Sequence, residues 1–224
     1  MSNFIFRLIE DQLPPSLAPI YLPAAPRAIY VVDGSTTVEF EEGAALHGRD
    51  SAWIGSEAIA CVAGPQGARL WRWEVVAAAA FSDGLLQASP GATSTLKLAA
   101  PLQLDDHQSW LLRCDRVSFP PGGVALTHVH QGPGIRCCLS GEITIEAGGS
   151  RTAHGPGQAW LELGHEPVLA PTTEKEPTSF VRCFLLPRAC KGRSSIRYVR
   201  PEDASKPKSQ SYQVFGERYV ELPR

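Results

Sequence analysis

The sequence predicts an all-β protein made of two copies of one unit of short strands. Three observations carry this prediction. Short apolar or alternating runs are separated by turn residues, and the 224-residue chain holds 20 glycines and 19 prolines. Apolar residues at helical spacing are hard to find anywhere in the chain. A stretch of the first half recurs in the second half, which indicates tandem units.

Six runs have the residue pattern of short strands. They are rich in β-branched, aromatic or alternating apolar residues and are bounded by glycine, proline or aspartate. These runs are residues 28–32, 37–40, 70–75, 110–112, 143–145 and 180–185. Many short strands with frequent turn signals are typical of a sandwich or barrel.

The internal repeat is clearest in one seven-residue motif. His47–Trp53 and His154–Trp160 both read H-G-x-x-x-A-W and lie 107 residues apart. Gly34 and Gly141, each followed by a strand pattern, have the same offset. The chain is therefore expected to contain two copies of one β unit.

Two histidines, His128 and His130, lie one residue apart in a strand pattern of the second copy. Residues two apart in a strand point to the same side, with Cα atoms roughly 6.6 Å apart, so both imidazoles can converge on one ion. Two histidines alone make a poor site, because structural and catalytic metals normally have three or four protein ligands. Glu162, a carboxylate in an apolar run, is the candidate third ligand. His165, three residues later, is a further candidate.

Each candidate also has a purely structural interpretation. The histidine pair can be bonded to other side chains or water, Glu162 can be a solvent-facing residue or a salt-bridge partner, and His165 lies in a turn-like stretch. A set of two histidines and one carboxylate suits Fe(II) with open positions, or Zn or Mn.

The second copy resembles the cupin family, and the whole chain resembles a bicupin. The family's first motif is G-x5-H-x-H-x3,4-E-x6-G, and its second is built around a P-G-D turn. The resemblance covers residues 105–188 well and residues 4–80 only through the repeat. It implies two tandem cupin barrels of the double-stranded β-helix, RmlC-like jelly-roll type in one chain. The matching residues are Gly122 or Gly123, His128, His130 and Gly141 for the first motif and Gly155–Glu162 for the second.

Two ligand positions usual in the family hold other residues. The motif glutamate falls on Gly134 and the second-motif histidine falls on Val168. Gly132–Gly134 predicts a tight turn between two strands. Some cupin relatives combine H-x-H, a Gly-Pro loop and a glutamate in a later strand, and this chain resembles them through Glu162.

The first copy lacks residues for such a site. The positions 107 residues before His128 and His130 are Tyr21 and Pro23, and no histidine, aspartate or glutamate lies between Ser16 and Val32. We therefore expect residues 1–85 to form a degenerate N-terminal cupin barrel without a metal motif. Residues 95–190 are expected to form the C-terminal barrel with the H-x-H motif. Residues 191–224 are expected to pack on the barrels or on a partner subunit of a homodimer.

Composition narrows the partners and the location. The net charge of −2 argues against nucleic acid and favours a small-molecule ligand or substrate. No run approaches the roughly 18 apolar residues of a membrane span, so no membrane partner is expected. Glu10, Asp11 and Pro14 interrupt the N-terminal stretch before a long apolar run can form, which argues against a signal peptide and predicts a cytoplasmic protein.

Three function hypotheses follow from the sequence. The favoured one is a metal-dependent cupin enzyme of small-molecule metabolism, of dioxygenase or isomerase type, in which His128, His130 and Glu162 hold Fe, Mn or Zn. The alternatives are a small-molecule-binding bicupin without catalysis and a structural bicupin that has lost the full metal site. No residue pattern identifies a substrate, because one barrel hosts many chemistries.

Overall fold

Strands dominate the computed structural model, which describes residues 2–15, 18–80, 82–86, 89 and 91–223. Strands account for 63% of the residues and helices for 4%, which confirms the prediction of an all-β protein. Within these described ranges, no helix is long and apolar enough to cross a membrane.

The chain divides into two compact units, Met1–Leu112 with Arg218–Arg224, and Arg113–Glu217. Seven strands precede the second unit: β1 (Ser2–Leu13), β2 (Ile20–Leu22), β3 (Arg27–Phe40), β4 (Gly43–Gly48), β5 (Ala52–Gly55), β6 (Ile59–Ala77) and β7 (Thr93–Leu104). Ten follow: β8 (Trp110–Phe119), β9 (Val124–His130), β10 (Gly134–Ser140), β11 (Ile143–Ala147), β12 (Ser150–His154), β13 (Ala159–Glu162), β14 (Val168–Pro171), β15 (Thr178–Pro187), β16 (Ile196–Tyr198) and β17 (Ser211–Val220). The short 3-10 helices are Ala78–Ala80, Arg188–Cys190 and Pro201–Ala204.

The first unit is built on one seven-stranded sheet. Its order is β4-β3-β6-β1-β7, with β2 also paired to β6 and β5 to β3. The register between β3 and β6 shifts twice, between Val31 and Asp33 and between Gly34 and Thr36. Two predicted strands, 28–32 and 37–40, therefore lie in the single long strand β3 on either side of this irregularity.

The second unit has two five-stranded sheets, ordered β13-β10-β15-β8-β17 and β12-β11-β14-β9-β16. Side chains from both sheets form one buried apolar cluster, as in a sandwich. The predicted barrels are not closed, because each sheet ends in an edge strand instead of pairing back on itself. The members of the apolar cluster are Val117, Phe119, Ala125, Cys138, Ile143, Trp160, Val168, Ala170 and Phe180.

Strand pairing in the two units matches at the offset of the sequence repeat. In the first unit Arg27 of β3 pairs with Gly55 of β5. In the second unit Gly134 of β10 pairs with Glu162 of β13. Both members of the second pair lie 107 residues after those of the first.

Candidate functional site

Strand β9 carries the two histidines into the interior of the second unit. His128 and His130 are 5% and 6% exposed, and their ring centroids lie 4.8 Å apart. β9 is paired on both edges, with Val168 of β14 opposite His128 and Ile196 of β16 opposite His130. A strand held on both edges fixes the direction of its side chains, so the two imidazoles converge.

Glu162 joins the histidines from the opposite sheet. It is the last residue of β13, and its Oε2 lies 3.9 Å from Nε2 of His130. One possible ligand atom from each of His128, His130 and Glu162 lies within 4.8 Å of the other two. The structure thus brings together three of the four residues that the sequence suggests as ligands.

His165 stands apart from these three side chains. It is exposed in the loop after β13, and the group of convergent ligand atoms in the described residues does not include it. The preceding residue, Gly164, has a φ of +97°, and its carbonyl accepts a hydrogen bond from the backbone N–H of His130 at 2.7 Å. The chain therefore turns at Gly164 against the end of β9, and His165 faces solvent.

Hydrogen bonds define which imidazole nitrogens are available. Nδ1 of His128 lies 2.7 Å from the carbonyl oxygen of Leu126. Because a carbonyl can only accept, Nδ1 carries the proton and Nε2 holds the lone pair. Nδ1 of His130 lies 3.3 Å from the hydroxyl of Ser195, in the segment before β16. Partners of this kind orient imidazoles that ligate a metal.

Both histidines are kept neutral. Burial lowers the pKa of His128 and outweighs the attraction of Glu162. Burial lowers the pKa of His130 well below its ordinary value, and the positive charges of Arg182 and Arg136 add to the effect. Neutral imidazoles are the form that binds metal ions.

Glu162 is already hydrogen-bonded and paired with a cation. Nε1 of Trp160 donates to its Oε1 at 2.9 Å, and Nη2 of Arg136 lies 2.7 Å from its Oε2. Arg136 is 1% exposed; burial lowers its pKa to about 10, against the attraction of Glu162, so it is charged at neutral pH. The carboxylate is therefore held in place before any ion arrives.

The structure has no room for a side chain at residue 134, where the resemblance predicts a glutamate. A Cβ atom on Gly134 would lie 2.7 Å from Cδ1 of Phe184 and 3.0 Å from Nη1 of Arg136. The backbone carbonyl oxygen of Cys183 lies 2.9 Å from the same position, and the nearby carboxylate is that of Glu162, the β13 neighbour of Gly134. Val168, where the resemblance predicts a histidine, is buried opposite His128.

We expect Gly134→Ala to lower the free energy of unfolding by about 1–3 kcal/mol, the cost of overpacking a filled interior. The added methyl group meets the Phe184 ring, the Arg136 guanidinium and the backbone carbonyl oxygen of Cys183, which cannot rotate away as a side chain can. Urea unfolding of the two proteins measures the change. Gly155→Ala is the matched control, because the nearest atom to its Cβ lies 4.0 Å away; an equal effect of both substitutions would contradict the expectation.

The three convergent side chains open onto a cavity of about 220 Å³. Its polar wall includes Arg182, whose Nε donates to Oδ1 of Asp115 at 2.6 Å. Asp115 is buried, and its Oδ2 has no hydrogen-bond partner among the residues that the structure describes. Phe119, Trp160 and other residues of the apolar cluster line the rest. The cavity can therefore hold a small molecule with both a polar and an apolar part.

The C-terminal segment forms part of the cavity wall. Ser195, Tyr198 and Lys208 line the cavity, and the Lys208 ammonium lies 3.9 Å from the centre of the Tyr198 ring. The sequence predicts that residues 191–224 pack on the barrels or on a partner subunit, but not that they contribute to the site.

Sequence reasoning also missed Arg136, Arg182 and Asp115. A signal for them was present, because each charged residue stands in an apolar strand run, where a charge needs a partner. Glu162 shares this pattern, so all four charged side chains carry the same signal.

The residues present fit a divalent metal. Two neutral imidazoles and a carboxylate fixed by hydrogen bonds match a two-histidine, one-carboxylate set, which leaves coordination positions open. The close Arg136 guanidinium is a competing cation, but it engages only one of the two carboxylate oxygens in the described ion pairs.

Comparisons with known proteins identify the fold. No protein-family model matches the chain, and no curated protein sequence matches it. A variant of oxalate decarboxylase from Bacillus subtilis is similar over 90% of this chain and 73% of its own, with 13% identity and a TM-score of 0.63. A protein named as glyoxylate-induced from Pseudomonas aeruginosa is similar over 81% of this chain and 74% of its own, with 14% identity and a TM-score of 0.51. The chain has the fold of the cupin superfamily.

Proposed function

We propose that the protein is a metal-binding cupin of small-molecule metabolism. His128, His130 and Glu162 would hold one divalent ion, and the adjoining cavity would bind the small molecule. The observation that carries the proposal is the convergence of their three ligand atoms within 4.8 Å. The ion would be Fe, Mn or Zn, since these metals accept two imidazoles and one carboxylate.

The cavity supports chemistry on a bound small molecule. A metal at this site would supply a Lewis acid or a redox centre with open positions, which suits oxygenase or isomerase reactions. Arg182 and Asp115 offer hydrogen-bond donors and an acceptor that would orient a polar group of the substrate. The apolar wall would bind the substrate's hydrocarbon part and exclude water.

The substrate is expected to be larger and less polar than oxalate. Oxalate decarboxylase is named for a two-carbon dianion, which has no apolar part. The lining of this cavity includes the apolar residues Phe119, Ile143 and Phe180. Oxalate would leave these residues uncovered, whereas a small molecule with one polar end would contact both the polar and the apolar lining.

One observation favours a second candidate function, a ligand-binding cupin without metal or catalysis. Arg136 already provides a positive charge 2.7 Å from Glu162, so the carboxylate has a partner in the absence of an ion. In this alternative the histidines and Arg182 serve only to recognise a ligand. This alternative predicts that ligand binding persists in metal-free protein.

The wider organisation is also a proposal. We propose that residues 1–85 and 95–190 are tandem cupin units and that the chain is a cytoplasmic homodimer without nucleic-acid or membrane partners. Sedimentation at micromolar concentration tests the dimer; a monomer would contradict it.

Metal content of untagged protein tests the function. We expect near-stoichiometric Fe, Mn or Zn by elemental analysis after growth with all three metals. His128→Ala should lose the ion, because one of three ligands is gone. His165→Ala is the matched control and should keep it, since His165 is exposed outside the group. Metal-free wild type would overturn the proposal.

A further inference from the structure

The first unit contains a buried cluster of charges that the proposed function does not use. Glu74 stands at its centre, with Nη2 of Arg7 and Nε of Arg27 each 2.6 Å from its carboxylate and Nη1 of Arg72 2.7 Å away. Nε of Arg72 also lies 2.6 Å from Oδ2 of Asp11. We call these five residues the arginine cluster; all are buried.

Backbone carbonyls cap other donors of the arginine cluster. Arg7 donates to the carbonyl of Ser82, Arg27 to that of Pro23 and Arg72 to that of Gly84. Nη1 of Arg27 differs from these groups. It is buried and has no hydrogen-bond partner in the part of the chain that the structure describes.

The arginine cluster has one positive charge in excess, since three guanidinium groups face two carboxylates. Cys61 does not supply the missing negative charge, because burial raises the pKa of its thiol to about 11, so it is neutral at pH 7. Glu10 is engaged by Lys97 at 3.4 Å. The residues outside the described ranges include no aspartate or glutamate. Among the five residues of the arginine cluster, this excess positive charge is buried, which is unfavourable without a counter-ion and favours the binding of an anion.

A cavity of about 410 Å³ adjoins the arginine cluster. Arg7, Arg27 and Arg72 line it together with Glu74. Apolar residues, among them Leu22 and Leu86, form other parts of the wall. A lining with both buried charges and apolar residues suits an amphipathic ligand.

We propose that this cavity binds a small monocarboxylate with an apolar body. One carboxylate carries the single negative charge that the arginine cluster lacks, and its two oxygens match the planar donor fork of a guanidinium. The apolar wall takes the hydrocarbon part of the ligand. Inorganic phosphate would bring more charge than the excess and would leave the apolar wall uncovered.

The location within the unit supports a binding role. Arg27 pairs with Glu74 in the first unit, and Gly134 pairs with Phe184 at the corresponding point of the second. Gly134 and Phe184 adjoin the histidine site. The arginine cluster and the histidine site therefore lie near the same point of the strand pairing in the two units, although the paired residues of the second unit are a glycine and a phenylalanine. The first unit, which the sequence predicts to be structural, is assigned a ligand of its own.

Calorimetric titration of the full-length protein with sodium hexanoate tests the proposal. Hexan-1-ol provides the same body without the charge, sodium phosphate provides an anion without the body, and sodium chloride controls for ionic strength. Of these four solutes, only hexanoate is expected to bind saturably. Equal responses to hexanoate and hexan-1-ol, or binding of phosphate in place of hexanoate, would overturn the proposal.

Two variants locate the binding. Arg27→Met should lower the affinity for hexanoate at least about tenfold, which corresponds to the loss of one charge-assisted hydrogen bond. Arg69→Met should leave the affinity for hexanoate unchanged, because Arg69 is exposed, although it lies on the same strand as Arg72. Leu86→Trp fills the apolar end without touching a charge, and should weaken hexanoate while acetate binding is kept. Unchanged hexanoate binding in either Arg27→Met or Leu86→Trp would contradict the assigned cavity. The histidine site is in the other unit, so its metal content is independent of this outcome.

Discussion

Replacing Glu74 with glutamine is expected to lower the free energy of unfolding by about 3–5 kcal/mol, the usual cost of removing one partner of a buried ion pair. Glu74 is 2% exposed and contacts three guanidinium groups at 2.6–2.7 Å. The glutamine amide carries no charge. Three buried arginines would then share Asp11 as the remaining carboxylate of the arginine cluster.

Urea unfolding followed by tryptophan fluorescence measures this loss, because Trp71 and Trp73 are buried in the same unit. Glu42→Gln is the matched control, since Glu42 is exposed in that unit. A loss within about 0.5 kcal/mol, the range of ordinary surface substitutions, would contradict the central role of Glu74.

Acid should remove the same contribution from the wild type. Burial alone would raise the pKa of Glu74, but Arg72, Arg27 and Arg7 outweigh it and lower the pKa from its ordinary value of 4.5 to about 2. The unfolded chain therefore takes up the proton first as the pH falls. The contribution, about 3 kcal/mol, is complete above pH 4.5 and is lost between pH 4.5 and 2. The stability difference between wild type and Glu74→Gln should shrink over this interval.

Glu162→Ala is expected to have two large and separable effects. Metal affinity should fall at least about 100-fold, more than the loss of a residue that only orients a ligand. Metal-free protein should also lose about 3 kcal/mol of stability, because Arg136 remains buried without its carboxylate. Elemental analysis measures the first effect and urea unfolding in the presence of a chelator measures the second.

The double variant Glu162→Ala with Arg136→Met separates the two roles. Removing the unpaired charge of Arg136 should restore most of the stability, since an apolar side chain of similar length replaces it. Metal binding should stay lost, because Arg136 is not a ligand. Recovery of metal in the double variant would show that Glu162 is not a ligand, and an unchanged stability in the single variant would show that Arg136 does not depend on it.

Sequence patterns predicted the local structure of the second unit well. The turn predicted at Gly132–Gly134 joins β9 to β10, whose first residue is Gly134, and the runs at 110–112, 143–145 and 180–185 fall within β8, β11 and β15. Local residue type decides such features. The convergence of Glu162 on the histidines was predictable in part, because a buried carboxylate requires a partner.

The remaining features depend on contacts between distant residues. Arg136 and Glu162 meet because β10 and β13 are neighbours, and no local pattern reports which strands pair. The same holds for the arginine cluster, whose members Arg7, Arg27 and Arg72 come from β1, β3 and β6. The open sheet edges were missed because the residue pattern fits a sandwich as well as a barrel, and the closed barrels followed from the family resemblance alone.

The ion pair between Arg136 and Glu162 has a consequence for how the protein would mature. Many small metal proteins cannot fold before the ion arrives, because the bare ligands repel or lack partners. Here Glu162 has its counter-charge 2.7 Å away from the moment the strands pair. Under the proposed function, metal starvation would leave the amount of folded protein unchanged and would lower only the fraction that is active.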